Sequence, residues 1–262
     1  MSTILTVAIP FYNADKYLAE AIESVLAQTF KDWTLLLVND GSTDNSLHIA
    51  QRYAEKDDRI KVLSDGENKN LGARLNEIAD TAETKFLARM DADDIMHPDK
   101  LAKQLAVLES NPNIDVLGTN AYSINEIGEV VGIRNKYNGD GEIMKVDSFI
   151  HPTIMGKSSW FRNNKYDVKA VRIEDAELWL RTKDYSNFYC LTEPLFYYRE
   201  FGDHYYKKYF KAFPSLLYLM KKPNKDKVVF SLKYILASFR CYVYYLLGKE
   251  QKLIARRNEI IY

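Results

Sequence analysis

Three carboxylates fall within four residues in the stretch Met90-Asp91-Ala92-Asp93-Asp94. Acidic side chains are costly to cluster at the end of a buried strand unless something cationic sits among them. A hard divalent ion carrying a diphosphate is the natural companion, since such ions take oxygen ligands and leave positions for phosphate. The alternative is an acidic turn that caps the helix entered at Pro98. A lone D-x-D pattern does not choose between the two, because it is common by chance.

The elements around the stretch narrow the choice. Lys85 to Arg89 reads as a buried strand leading into the carboxylates, and Pro98 to Glu109 as the helix after them. Upstream, Ile4 to Pro10 is a short β-branched strand, ended by Pro10, which has no donor for a ladder. Leu18, Ile22, Val25 and Leu26 recur at helical spacing. Asp32 to Asn39 is apolar almost throughout, as expected of a parallel strand covered on both faces. It runs into Asp40-Gly41-Ser42-Thr43-Asp44, where Gly41 permits a tight turn and Ser42, Thr43 or Asp44 can cap a helix. Arg59 to Leu63 is a third strand, and Ala73 to Ala82 a helix.

Strand and helix alternating at these intervals indicate an α/β fold with a doubly wound, mostly parallel, Rossmann-like sheet. Ligands of such sheets sit outside the carboxyl ends of the strands. Pro10–Asn13, Asp40–Asp44 and Asp91–Asp94 all belong to that edge. Further on, 113–117 reads as a strand and 119–134 as paired strands turning at Gly128. Residues 138–150 are Gly/Asp-rich and then amphipathic. A helix starts at Glu174, Asn187–Leu191 and Leu195–Arg199 are two short strands, and from Tyr205 the chain is helical. The expected division is a nucleotide-binding half at 1–118, an acceptor-binding half at 119–200 of the same domain, and a tail at 201–262.

The 262 residues have no formal net charge, but the balance is uneven. Residues 200–262 hold thirteen Lys and Arg against five Asp and Glu, and the first 199 hold 23 against 31. An acidic body therefore carries a basic helical appendage. The only cysteines, Cys190 and Cys241, are too few and too distant for a disulfide framework or metal knuckle, so a reducing, cytoplasmic setting is expected. The first residues lack the basic region of a secretory signal.

Six segments in order resemble the family 2 glycosyltransferases of bacterial polysaccharide pathways. They are Ala8-Ile9-Pro10-Phe11-Tyr12-Asn13, Ser24 to Phe30, Val38 to Asp44, Asn70-Leu71-Gly72, Asp91 to Asp94, and Glu174-Asp175 before Leu178-Trp179-Leu180-Arg181. The resemblance covers residues 4 to about 200. It implies a GT-A fold and inverting transfer of one sugar from a nucleotide-diphosphate donor, expected to be UDP-linked. The acceptor would be a hydroxyl of a saccharide or lipid-linked saccharide. It also implies Mn2+ or Mg2+, with Asp93 as direct ligand and Asp91 on the ribose or a metal-bound water; Ala92 lies between them against the nucleotide. Asp94 would brace the turn or cap the helix.

By the same resemblance, Asp40 accepts the imide N–H of uracil, and Pro10, Tyr12 and Asn13 line base and ribose. Tyr12 could instead be a packed aromatic. Asn70 and Arg74 come after the third strand, where Arg74 either approaches base and phosphates or is a solvated helix charge. Asp175 is the expected base; otherwise it is a helix-start carboxylate favoured by the macrodipole. Ala176-Glu177 replaces the aromatic and aspartate more usual there, which bears on acceptor contacts. His151 is left between a structural role and a place near diphosphate or acceptor. Trp33, Trp160 and Trp179 are expected in the core. The Gln-x-x-Arg-Trp sequence of processive synthases is missing.

Other classes are less well served. A sugar-nucleotide nucleotidyltransferase would want a Gly-rich phosphate loop after the first strand, and Pro10 to Asn13 is not one. An inactive nucleotide-sugar-binding protein would have no need of Asp91, Asp93 and Asp175. Only the basic, Tyr-rich tail points to nucleic acid, and no nucleic-acid partner is expected. Within the tail, residues 228–247 nearly reach spanning length, but Lys233 and Arg240 interrupt them on one helical face. That pattern suits either a helix on an anionic membrane surface, on its inner face, or packing on the body or on a second copy in a homodimer.

Overall fold

The computed structural model describes residues 3–134, 137, 142–200 and 205–259. The expected Gly/Asp-rich stretch at 138–141 lies outside them. The first half alternates β1 (Leu5–Phe11), α1 (Leu18–Leu26), β2 (Trp33–Asn39), α2 (Ser46–Ala54), β3 (Ile60–Ser64), α3 (Leu71–Thr81) and β4 (Phe86–Arg89). These strands are parallel, in the spatial order β3-β2-β1-β4. After the acidic turn come β5 (Ile95–Met96), α4 (Lys100–Ser110), β6 (Val116–Ile124), β7 (Val130–Arg134) and β8 (Ile143–Lys145). Next are β9 (Met155–Lys157), α5 (Ser158–Asn163), α6 (Glu174–Thr182) and β10 (Phe188–Arg199). The tail forms α7 (Tyr205–Phe210), α8 (Phe213–Leu219), α9 (Lys225–Leu246), α10 (Gln251–Ala255) and β11 (Asn258–Glu259).

The sheet is continuous, because β9 lies antiparallel between β4 and β6, and β6 pairs with both β7 and β10. The boundary placed at 118 falls inside β6, so the two halves share one sheet. The tail is not purely helical, since β11 adds to β7 at the edge. Both faces of the sheet are covered, which explains the unbroken apolar runs. Leu5, Val7 and Ile9 face Leu18 and Ile22 of α1 and Leu101 of α4. Ala8, Leu36 and Val38 face Leu75 and Ile78 of α3 and Leu178 and Trp179 of α6. Trp33, Trp160 and Trp179 are all buried.

Two strand expectations are corrected. Pro10 does not end β1, which runs on to Phe11. Ala8 directs its carbonyl to Met90, so Pro10, two residues on, faces the same side, where β4 has already stopped at Arg89. The missing N–H of Pro10 therefore breaks no ladder bond. Likewise, 187–191 and 195–199 are one strand, β10, whose pairing with β6 shifts register on either side of Pro194. The proline makes an irregularity rather than a break.

Candidate functional site

Three loops at the carboxyl edge are tied to one another. Asp40 comes directly after β2, and its N–H donates to the Phe11 carbonyl at 2.8 Å. Gly41 has a φ of +73°, and a Cβ there would come 2.8 Å from the Glu67 backbone. Only glycine satisfies both demands. Asn13 accepts from the Thr43 N–H at 2.8 Å, and Asp44 accepts from the N–H groups of Asp15 and Ser46 at 3.0 Å each. The Asp40–Asp44 turn thus holds the loop after β1.

The acidic turn hangs between β4 and β5, and β5 is zipped to Phe196 and Tyr197 of β10. Residues at the end of α1 brace the segment from Met96 to Leu101. Ser24 Oγ accepts from the Met96 N–H at 3.1 Å, and Gln28 donates to the His97 carbonyl at 2.8 Å while accepting from the Leu101 N–H at 3.1 Å. The Ser24–Phe30 segment thereby fixes the exit from the acidic turn. The other brace is Arg199 on β10. Its N–H donates to Asp94 Oδ1 at 2.8 Å and its Nε to the Asp93 carbonyl at 2.7 Å.

One oxygen from each of Asp91, Asp93 and Asp94 lies within 4.8 Å of the others. Arg89 pairs with Asp91. The other two carboxylates are poorly compensated. Burial, and then the Asp91 charge, push Asp93 up to about 6. Burial, and then Asp93 and Asp91, push Asp94 well above the usual carboxylate range. Asp94 Oδ2 is buried without a hydrogen-bond partner among the described residues. Three close carboxylates with an orphaned oxygen fit an oxygen-liganded Mn2+ or Mg2+.

Two cavities meet at this edge. One, of about 370 Å3, is lined by Pro10, Tyr12, Asp40, Asn70 and Arg74. The other, of about 340 Å3, is lined by Asp91, Arg134, His151, Asp175 and Tyr198. Leu71, Arg172 and Glu174 belong to both walls. Asp40 Oδ1 accepts from the Lys69 N–H at 2.7 Å and from Arg74 Nε at 2.9 Å, leaving Oδ2 for a ligand. Tyr12 is 52% exposed, so it is not a packed aromatic. Asn70 takes a φ of +74° at the start of α3.

Asp175 stands in the first turn of α6, where the helix dipole favours its ionised form. Beside it, burial and then the Asp175 charge push Glu174 up. His151 Nε2 shares a 2.8 Å hydrogen bond with the Tyr166 hydroxyl, and burial pushes its pKa well below the ordinary histidine value. It lines the second cavity as a neutral imidazole.

Several expectations change or narrow. Arg74 is not a solvated charge; it is 1% exposed and binds Asp40, Asp65 and Glu77 at 2.6–2.9 Å. It orients Asp40. Asn13 is exposed, and its Oδ1 accepts from the Thr43 N–H. Ala92 is buried and lines neither cavity. Of the two roles expected of Asp94, it takes the first: its bond from Arg199 of β10 braces the turn, and it caps no helix.

Residues that sequence reasoning passed over are Arg172, Arg199, Lys208 and Lys100. Arg172 holds a φ of +72° between the cavities, an unfavourable backbone for a long side chain. Lys208 of α7 acts on Asp93, lowering its pKa. Lys100 is fully buried with no hydrogen-bond partner for Nζ among the described residues. Burial, and then the charge of Arg89, bring it down to about 7. None carries a local signal, because each matters only through distant elements.

Comparison with known proteins agrees with this geometry. The profile of glycosyl transferase family 2 matches residues 6–168, ending before Asp175. EpsE of Bacillus subtilis, named as a glycosyltransferase, is 38% identical over 213 residues, covering 79% of this chain and 76% of its own. The O-antigen biosynthesis glycosyltransferase WbnJ of Escherichia coli is 31% identical over 185 residues, covering 68% and 71%.

Among solved structures, S. aureus TarS 1-349 in complex with UDP-GlcNAc superposes with a TM-score of 0.59 at 18% identity, covering 92% of this chain and 73% of that one. The mannosyltransferase PcManGT from Pyrobaculum calidifontis, in complex with GDP-Man and Mn2+, superposes at 0.63 with 14% identity, covering 97% and 79%. The fold is that of the GT-A enzymes. With the profile spanning most of the chain and EpsE aligned over three quarters of both sequences, this protein belongs to glycosyltransferase family 2.

Proposed function

We propose that the chain moves a single sugar, with inversion, from a nucleotide-diphosphate sugar to a hydroxyl of a saccharide or lipid-linked saccharide. The observation that carries this is the position of the undercompensated Asp91–Asp93–Asp94 cluster beside two adjoining cavities, one holding Asp40 and the other Asp175. The Asp40 cavity takes the nucleoside, with Oδ2 accepting the imide N–H of a uracil and Tyr12 exposed against the base. Asp93, with Asp91, would hold Mn2+ or Mg2+. Such an ion, when bound, offsets the charge that grows on a departing diphosphate. The O-antigen biosynthesis named for WbnJ favours a role in surface polysaccharide synthesis, and the sugar we propose to be moved is a hexose or an N-acetylhexosamine.

Asp175 takes the acceptor proton as the hydroxyl oxygen attacks the anomeric carbon opposite the leaving group. A carboxylate is basic enough, because the proton leaves late, as the new bond forms. It stands in the first turn of α6, where a negative charge is favourably placed. His151, neutral and bonded to Tyr166, shapes the acceptor cavity without adding charge.

The test is a donor panel. Release of nucleoside diphosphate is measured from UDP- and GDP-sugars, with and without Mn2+. A metal-dependent signal with one donor is expected. If no donor binds or is hydrolysed under any condition, the proposal fails. UDP-GlcNAc and GDP-Man both belong in the panel, since they occupy TarS and PcManGT.

A further inference from the structure

The longest helix, α9, has two unlike faces. At 22 residues it is ~33 Å long. One face packs inward: Ser231, Ser238 and Cys241 are buried, and Phe230 and Tyr234 join Ile173, Ala212, Leu216 and Leu219. The helix start is fixed by Asn224, which accepts from the Lys227 N–H at 2.8 Å. The opposite face carries Leu232, Leu236, Phe239 and Leu246, which are 57–69% exposed. Their spacing puts them on one stripe. A continuous exposed apolar stripe of this length marks a contact surface.

The charge around the stripe says what it meets. Lys233 and Arg240 flank it two turns apart, and Lys221, Lys222 and Lys225 are exposed at its start. Asp226 is the only acid of the helix, and it is paired with Lys183 at 2.6 Å. A second copy docking face to face would set these cations against their equivalents. An apolar surface bearing negative charge is what matches. No described helix is long and apolar enough to cross a membrane.

We propose that the outer face of α9 docks flat on an anionic lipid surface, its leucines and Phe239 entering the headgroup boundary and its lysines meeting lipid phosphates. A cavity of about 360 Å3 opens at the edge of that face, walled by Val229, Phe230 and Lys233 of α9 and by Phe149, Asp175 and Trp179 of the body. Docking sets its mouth beside the lipid.

Sedimentation of the full chain with vesicles tests this. Mixed phosphatidylglycerol–phosphatidylcholine vesicles are expected to bind it, with affinity falling as salt rises, and pure phosphatidylcholine to bind it at least about tenfold more weakly. The Leu236→Asp/Phe239→Asp protein should lose binding to both. The Lys222→Glu/Arg240→Glu protein should lose only the anionic preference. Both variants sit on an exposed face and should keep the wild-type thermal midpoint.

Failure of the wild type to bind anionic vesicles at low salt overturns the proposal, as does unchanged binding by the leucine–phenylalanine variant. A wild-type dimer in solution that this variant dissociates overturns it too, in favour of a second copy. Donor binding is measured without vesicles, so its failure with docking intact would count only against the glycosyltransfer chemistry.

Discussion

Two carboxylate clusters lie at the same edge of the sheet and are built on opposite principles. Around Arg74, three acids (Asp40, Asp65 and Glu77) share one buried guanidinium. Hydrogen bonds from Arg74, then from Lys69, hold Asp65 far below the usual carboxylate range. In the turn after β4, three acids also share a site, yet two of them are pushed upward. Arg89 neutralises one charge, and Arg199 gives the turn hydrogen bonds through its backbone N–H and to a carbonyl. The first cluster is complete within the chain and orients Asp40. The second is left short of positive charge, which is the condition for recruiting a cation.

The largest expected effect lies outside both clusters and serves as their reference. Asp175→Asn should lower kcat by about 10^2–10^4-fold, the range for loss of a positioned base, with donor affinity retained. Asp93→Asn should instead weaken donor and Mn2+ binding together, which titration calorimetry distinguishes. If both variants lose donor binding equally, the division of roles is wrong.

Next comes a difference of sign in stability. Arg74→Met strands three acids and should cost about 3–5 kcal/mol in urea unfolding. Asp94→Asn keeps an oxygen for the Arg199 N–H and removes an undercompensated charge. The metal-free protein should therefore gain about 1 kcal/mol and lose affinity for Mn2+. Two destabilising results would erase the contrast.

The clusters should also respond oppositely to pH. Asp65 has a depressed folded-state pKa, so its contribution is present above the unfolded value and lost as pH falls. Asp93 has a raised one, at about 6, so its contribution is present below the unfolded value and lost as pH rises through about 6. Measured against Asp93→Asn, which cancels the opposite slope of buried His151, the thermal midpoint of the metal-free protein should fall as pH rises from 5 to about 7, and Mn2+ should restore it at the upper end.

The smallest effect concerns Lys100, whose pKa of about 7 reflects burial beside Arg89. Its folded-state value is depressed, so its penalty is greatest at low pH and relaxes as pH rises above about 7. Lys100→Met should stabilise the protein by about 1–2 kcal/mol at pH 6, and by less at pH 10.

Much of the first half of the chain was legible because its signals are local. Apolar runs of strand length, helical spacing in α1 and α3, and turns at Gly41 and Asn70 are set by neighbours in the chain. So are the carboxyl-edge positions of Pro10, Asp40 and Asp91, since parallel strands leave their ends on one side. Asp93 belongs to the same edge, whereas Asp175, at a helix start, was expected only through the family resemblance. Where local rules failed, a distant partner had decided. Pro10 continues β1 because β4 ends early, and Pro194 sits within β10 because β6 tolerates a shifted register. Arg74 turned to three acids, and Asp94 to a strand more than a hundred residues away.

The sequence by itself determined the kinds of groups available: acids at strand ends, a β-branched core, and a basic tail with an apolar stripe. Composition and spacing suffice for that, since they act through the backbone and its immediate neighbours. Only the tertiary structure decided which charges are cancelled. Asp65 and Asp93 are the same residue type on loops at one edge of the sheet, yet one is held below its ordinary pKa and the other above it. Charge interactions and desolvation act through space: Arg74 reaches Asp65 within one loop and helix start, whereas Arg199 and Lys208 reach the acidic turn only once the sheet and tail have closed.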